Sequence, residues 1–160
     1  MHLLGGALVA LAVFIVWRVY SSYLCSEKLC CEAFLFALSD MREKMKCYMS
    51  SPREWAEGYS SDKLASSGFI GALCNGESLA GAYEIGKSHL QLSRETDEVL
   101  CDLFSRLGGG YLEGELMALD SAIAKLSAIR DGMQTQNGKR TRAVGALLGA
   151  IAAGAILLAL

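Results

Sequence analysis

The sequence predicts an all-α protein, an antiparallel bundle of about six helices flanked by transmembrane helices at its N-terminal and C-terminal ends. Apolar residues in the middle of the chain recur at steps of three and four, which is the period of an amphipathic helix. The chain has a single proline, Pro52, and few stretches of alternating apolar residues, so a strand-rich fold is disfavoured. Each end carries a long uncharged segment.

The first membrane span is predicted at residues 3–20, which carry no charge before Arg18. As a helix this segment would be about 27 Å long, close to the roughly 30 Å hydrocarbon core of a bilayer. Tyr20 and Tyr23 would anchor it at the membrane surface. A cleaved signal peptide is the alternative, but the segment has no basic start and SSYLCSE has no small-x-small cleavage site.

The second span is predicted at residues 143–160, which are uncharged throughout. Gly145 and Gly149 have the GxxxG spacing that lets a second helix approach closely in a membrane. An Ala/Gly-rich span without a dedicated partner explains the same residues equally well.

Two spans place everything between them on one side of the membrane, and the positive-inside rule then selects the cytoplasmic side for residues 21–142. Six cysteines in a reducing compartment are expected to remain free thiols. The basic residues beside the two spans are Arg18, Lys28, Lys139, Arg140 and Arg142.

The first helix is predicted to continue beyond its membrane span into the bundle and to end near Ser50. Six residues at helical spacing are expected to face the core. They are Cys30, Phe34, Ala37, Met41, Met45 and Tyr48.

Ser51 and Pro52 begin a capping-box sequence with proline at the first helical position, which predicts a short helix to about Gly58. A further helix is predicted over residues 64–75. Gly76 is well placed to end it in the left-handed conformation.

Ser78 and Ser93 are predicted to cap the next two helices, and Gly108 to Gly110 to break the second of them. A long amphipathic helix then begins at about Leu112. Residues 134–140 would join it to the second span, either as a loop or as continuous helix.

No catalytic, cofactor or metal site is predicted, so the chain is not expected to be an enzyme. Cys25, Cys30 and Cys31 lack the paired C-x₂₋₄-C spacing of zinc sites, and on a helix Cys25 and Cys30 point about 140° apart. His2 and His89 have no second ligand nearby, and no phosphate-binding loop is found. The balance of 15 basic and 17 acidic residues, interspersed along the chain, gives no field for nucleic acid.

Several short motifs stand in a definite order and spacing along the chain. They are MHLLGGALV at the start, Tyr48 to Pro52, Phe69-x₃-Leu73-x₂-Gly76-Glu77-Ser78, Glu98-Val99-Leu100 leading to Leu107-Gly108, and Arg142 to Gly149. This order and spacing resemble the stage III sporulation protein AB family of endospore-forming bacteria. The chain departs from the family after Leu107-Gly108, where Tyr111 and Leu112 replace a charged pair and Glu115 replaces a glutamine. The candidate structural residues of these motifs are Ser51, Pro52, Gly76, Leu107, Gly108, Gly145 and Gly149.

The resemblance implies a subunit of the channel complex between mother cell and forespore, related to the platform proteins of type II secretion and type IV pilus machines. It implies a place in the outer forespore membrane, with the soluble domain in the mother-cell cytoplasm. The implied partners are a secretion-type ATPase, the stage III sporulation protein AA, and other membrane subunits of the channel. A thiol redox or metal-binding membrane protein, and an adaptor of an unrelated secretion system, are the alternatives.

Overall fold

The computed structural model describes the backbone of residues 2–159 and the side chains of residues 11–136, 138, 142–147, 149–151 and 154. Its described part contains helices and no strands, which confirms the predicted all-α class. The helices are α1 (His2–Tyr48), α2 (Pro52–Gly58), α3 (Asp62–Ser66), α4 (Phe69–Cys74), α5 (Leu79–Lys87), α6 (Arg94–Arg106) and α7 (Leu112–Ala159).

The chain divides into two units, each compact in itself. The central unit is Glu27–Asp131, and the terminal unit combines Met1–Ser26 with Gly132–Leu160. Helices α2 to α6 belong to the central unit, as do the C-terminal part of α1 and the N-terminal part of α7.

The core of the central unit is organised around Phe34 of α1. Its ring lies 5.8 Å from Phe69, 6.0 Å from Tyr83 and 6.3 Å from Phe104, measured between ring centroids. All four side chains are almost completely buried. Edge-on and tilted aromatic contacts of this kind add to the free energy of apolar burial, so four helices are held together at one point.

Five of the six α1 residues predicted to face the core are buried, and Tyr48 is the exception. Its side chain is 78% exposed, so its predicted core position is wrong. The core-facing stripe stops at Met45 because α1 ends at Tyr48 and Met49 turns the chain with a φ of 52°.

The single helix predicted over residues 64–75 is also wrong, because α3 and α4 are separate. Gly68 stands between them with a φ of 87°, a conformation that ends a right-handed helix. The Ser67 hydroxyl donates to the Leu64 carbonyl at 2.8 Å and accepts from the Phe69 N–H at 3.3 Å. These bonds satisfy the backbone groups that the break would otherwise leave unpaired.

The other predicted helix boundaries are confirmed. The Ser51, Ser78 and Ser93 side chains cap α2, α5 and α6 by accepting backbone hydrogen bonds. Helix α1 has no break before Tyr48, and residues 134–140 are helical within α7, which decides between the two alternatives for that segment.

The predicted membrane spans lie partly outside the residues whose side chains are described, at 3–10, 148, 152–153 and 155–160. Within the part of the chain that is described, no helix has the combination of length and apolar character needed to cross a bilayer.

Candidate functional site: a groove between α6 and α7

Two adjoining hollows lie between α6 and α7 in the central unit and share the lining residues Val99, Asp102 and Lys125, so together they form a groove along the two helices. Its α6 wall consists of side chains three or four residues apart, and its α7 wall repeats that spacing, because residues i, i+3 and i+4 share one face of a helix. Its α6 wall runs from Glu95 to Arg106, which is about 16 Å along the helix axis. The lining residues are Glu95, Glu98, Val99, Asp102, Leu103 and Arg106 of α6, and Ala118, Ser121, Ala122, Lys125, Ala128 and Ile129 of α7.

The floor of the groove is apolar. Leu103 and Ala122 belong to the buried core, and Val99 and Ile129 are half-buried against it. The α7 wall is low because most of its side chains are small. The length of the groove matches about three turns of a helix, so it could accommodate a helical segment of another protein.

The rim of the groove is charged. Arg94 Nε lies 2.8 Å from Glu98 Oε1, and Arg106 Nη2 lies 2.7 Å from Asp102 Oδ1. These pairs are exposed and therefore contribute little to folding, so their charges are available to a partner. Glu95 and Lys125, on opposite walls, form no ion pair within the described residues.

Behind the groove, α5 and α6 are joined by a polar contact. The Tyr83 hydroxyl donates to Asp97 Oδ1 at 2.7 Å, and the Cys101 thiol donates to the same oxygen at 3.6 Å. Burial, reinforced by the Asp97 carboxylate, raises the pKa of Tyr83 well above its usual range. The phenol is therefore neutral, and its role in this contact is to hold the two helices together.

The cysteine cluster does not come together as a site. Cys25 is exposed, whereas Cys30 and Cys31 are buried. The Cys31 thiol points to the Leu126 carbonyl at 3.7 Å, and burial raises its pKa, so it is protonated at neutral pH. Among the described residues, no three His, Cys, Asp or Glu side chains are grouped closely enough to hold a metal ion.

The candidate motif residues mostly stand at helix ends. Ser51 accepts from the Glu54 N–H at 3.3 Å while its own N–H donates to Glu54 Oε2 at 2.9 Å, which is a complete capping box, and Pro52 is the first helical residue. Gly76 follows α4 with a φ of 93°. The conformation at Gly76 explains why glycine is favoured there.

Leu107 and Gly108 end α6, and a third residue fixes this turn. Leu107 is buried at the C-terminal cap, and Gly108 has a φ of 101°. Glu115 Oε1 accepts from the Gly108 N–H at 3.0 Å and from the Gly110 N–H at 3.3 Å. The sequence analysis did not predict this role for Glu115; an acidic residue shortly after a glycine run was the available signal for it.

In the terminal unit, Gly145 meets Trp17. A Cβ atom at Gly145 would lie 3.5 Å from the Trp17 ring, whereas nothing lies within 4 Å of the same position at Gly149. The first glycine of the predicted GxxxG pair is therefore covered by an aromatic ring of the same chain.

No protein-family model, curated protein or solved structure matches the chain. The resemblance to the stage III sporulation protein AB family stays a prediction from the motifs.

Proposed function

We propose that this chain is a membrane-anchored platform subunit that docks a cytoplasmic secretion-type ATPase onto a channel of the stage III sporulation type. Residues 21–142, which include the central unit, would lie in the cytoplasm. Segments 3–20 and 143–160 would anchor it in the bilayer. The alternative placement is an adaptor of an unrelated secretion system, which would use the same surface for a different motor.

The observation that carries the docking function is the groove between α6 and α7. It combines a half-buried apolar floor at Val99 and Ile129 with exchangeable charges on its rim, which are the features of a surface that binds another protein. Behind the groove, polar contacts such as that of Tyr83 with Asp97 join α5 to α6. These contacts stabilise the unit and support a binding role.

The anchoring function is supported by the exposed apolar residues of the terminal unit. Side chains of this size and number on one helix are costly to leave in water, at roughly 25 cal/mol for each Å² of apolar surface. A bilayer removes that cost. The exposed residues are Leu11, Phe14, Ile15, Val16 and Val19 of α1, and Leu147 and Ile151 of α7.

A pull-down of the ATPase by the detergent-solubilised full chain tests the docking function. Ala128→Arg would fill the groove from an exposed position without disturbing the core, so we expect at least a tenfold loss of retained ATPase, about 1.4 kcal/mol. Ala124→Arg is the matched control, since Ala124 is an exposed α7 alanine that does not line the groove.

The two variants separate the possible failures. If the unaltered chain retains no ATPase, the proposed partner is wrong. If both arginine variants bind as well as the unaltered chain, the ATPase docks elsewhere. A chromosomal Ala128→Arg allele in a sporulating host should block spore formation, whereas Ala124→Arg should not.

A further inference from the structure

Acidic residues occur in only one of the two units of this chain, whereas basic residues occur in both. All 17 acidic residues lie in the central unit, between Glu27 and Asp131. The terminal unit has no acidic residue in its sequence, and its charged side chains are basic. They are Arg18, Lys139, Arg140 and Arg142. The terminal unit is therefore cationic wherever it is charged, which suits an anionic partner.

The contact between Trp17 and Gly145 brings two of these cations to the same level. Arg18 follows Trp17 directly, and Arg142 precedes Gly145 by three residues, or about 4.5 Å along the helix axis. Both arginines are exposed, and neither forms an ion pair within the described residues. Two exposed guanidinium groups, without an ion pair among the described residues, therefore lie beside the contact of Trp17 with Gly145.

The surroundings of this pair are those of a membrane surface. Exposed apolar side chains precede Arg18 on α1 and follow Arg142 on α7, while Tyr20 and Tyr23 come just after Arg18. Aromatic rings and arginines at the end of an apolar segment place themselves at the lipid headgroups. A guanidinium group binds a phosphate through two parallel hydrogen bonds.

We propose that Arg18 and Arg142, one on each helix beside the contact between Trp17 and Gly145, form a belt that binds the phosphate headgroups of anionic phospholipids. This inference rests on the proposed membrane anchoring and adds the class of lipid. The charge complementarity selects anionic over zwitterionic headgroups, because the terminal unit offers no acidic residue to balance its arginines.

Trp17 provides the reporter for a test on the full chain. The chain is reconstituted in phosphatidylcholine vesicles, and either phosphatidylglycerol or phosphatidylcholine with brominated acyl chains is titrated in. Quenching of Trp17 fluorescence is obtained by subtracting the signal of a Trp17→Phe chain, in which only Trp55 remains. We expect brominated phosphatidylglycerol to quench more strongly, with a preference on the order of fivefold for each arginine near the headgroups.

Charge-removing variants assign that preference to the belt. The double variant Arg18→Gln with Arg142→Gln should be quenched equally by both lipids, and 0.5 M salt should weaken the preference of the unaltered chain. Lys46→Gln with Arg53→Gln, which removes two cations of the central unit, should leave it unchanged.

Each contrary result has a separate meaning. Equal quenching of the unaltered chain by both lipids would refute lipid binding by the belt. This is the result expected if the arginines instead bind an acidic segment of another protein. A preference that survives in the double glutamine variant would also overturn it. Absence of quenching by either lipid would refute the membrane anchoring along with the belt. Loss of ATPase binding with the lipid preference intact would refute only the docking function.

Discussion

The two units differ in how far they bury their large apolar side chains. In the central unit Phe34 is completely buried among three other aromatic rings, whereas in the terminal unit Phe14 is 60% exposed and its neighbours on α1 are similarly open. The central unit carries every acidic residue and the terminal unit none. The central unit therefore has a buried aromatic core, whereas the described part of the terminal unit exposes large apolar side chains on α1 and α7.

The largest effect is expected from breaking the core of the central unit. Phe34→Ala should lower the free energy of unfolding by about 3–5 kcal/mol, because it removes the ring that contacts Phe69, Tyr83 and Phe104 and leaves a cavity. Urea denaturation, followed by the fluorescence of buried Trp55 in a Trp17→Phe background, measures it.

The matched control for Phe34 is two residues away on the same helix. The Phe36 side chain is 73% exposed, so Phe36→Ala should change the free energy of unfolding by less than about 0.5 kcal/mol. Similar losses for the two variants would show that the aromatic cluster does not dominate the stability of the central unit.

A smaller effect is expected where two helices approach each other most closely. A Cβ atom at Gly86 of α5 would lie 2.8 Å from Phe69 Cβ and 3.3 Å from the Phe69 backbone, so Gly86→Ala should cost about 1–3 kcal/mol. Gly71→Ala in α4, where nothing lies within 4 Å, should instead gain about 0.5–1 kcal/mol from helix propensity. The same denaturation measurement compares them, and a stable Gly86→Ala variant would contradict the packing of α5 on α4.

The smallest effect concerns the buried phenol of the central unit. The folded-state pKa of Tyr83 is raised above the value of about 10 for an unfolded tyrosine, so this residue stabilises the fold fully below pH 10 and the contribution is lost as pH rises further. Tyr83→Phe should cost about 1–2 kcal/mol at pH 8 through the lost bond to Asp97.

Above pH 10 the Tyr83→Phe variant should lose stability less steeply than the unaltered chain, by up to about 1.4 kcal/mol per pH unit. Denaturation at a series of pH values measures this slope. Tyr111→Phe, at a side chain that is 92% exposed, should leave both the stability and its pH dependence unchanged. Identical alkaline slopes for the Tyr83→Phe and unaltered chains would contradict the burial of this phenol.

Local features of the fold were predictable from the sequence, and features that depend on tertiary contacts were not. The caps at Ser51, Ser78 and Ser93 were predictable because each serine side chain accepts a hydrogen bond from the backbone N–H three residues further along the chain. The break at Gly68 was missed because a helical apolar pattern continues across it, and only the bonds made by Ser67 show where the helix stops.

The candidate site was even less accessible to sequence reasoning. Val99 and Ile129 are 30 residues apart, and nothing local indicates that α6 and α7 lie side by side with a groove between them. The sequence itself shows that the cysteines lack the spacing of zinc ligands, because ligand spacing is a local property. That the ends of the chain lack acidic residues could be read from the sequence, but that Arg18 and Arg142 lie at one level follows only from the contact of Trp17 with Gly145.

Alkaline carbonate extraction tests the contrast between the units most directly. Membranes are prepared from cells that produce the full chain and are then treated with alkaline carbonate. This treatment releases proteins held at the surface and retains those whose apolar segments lie in the bilayer. We expect the full chain to remain with the membranes, and a chain reduced to Glu27–Asp131 to be recovered in the soluble fraction. Release of the full chain into the carbonate supernatant would contradict the assignment of the terminal unit to the bilayer.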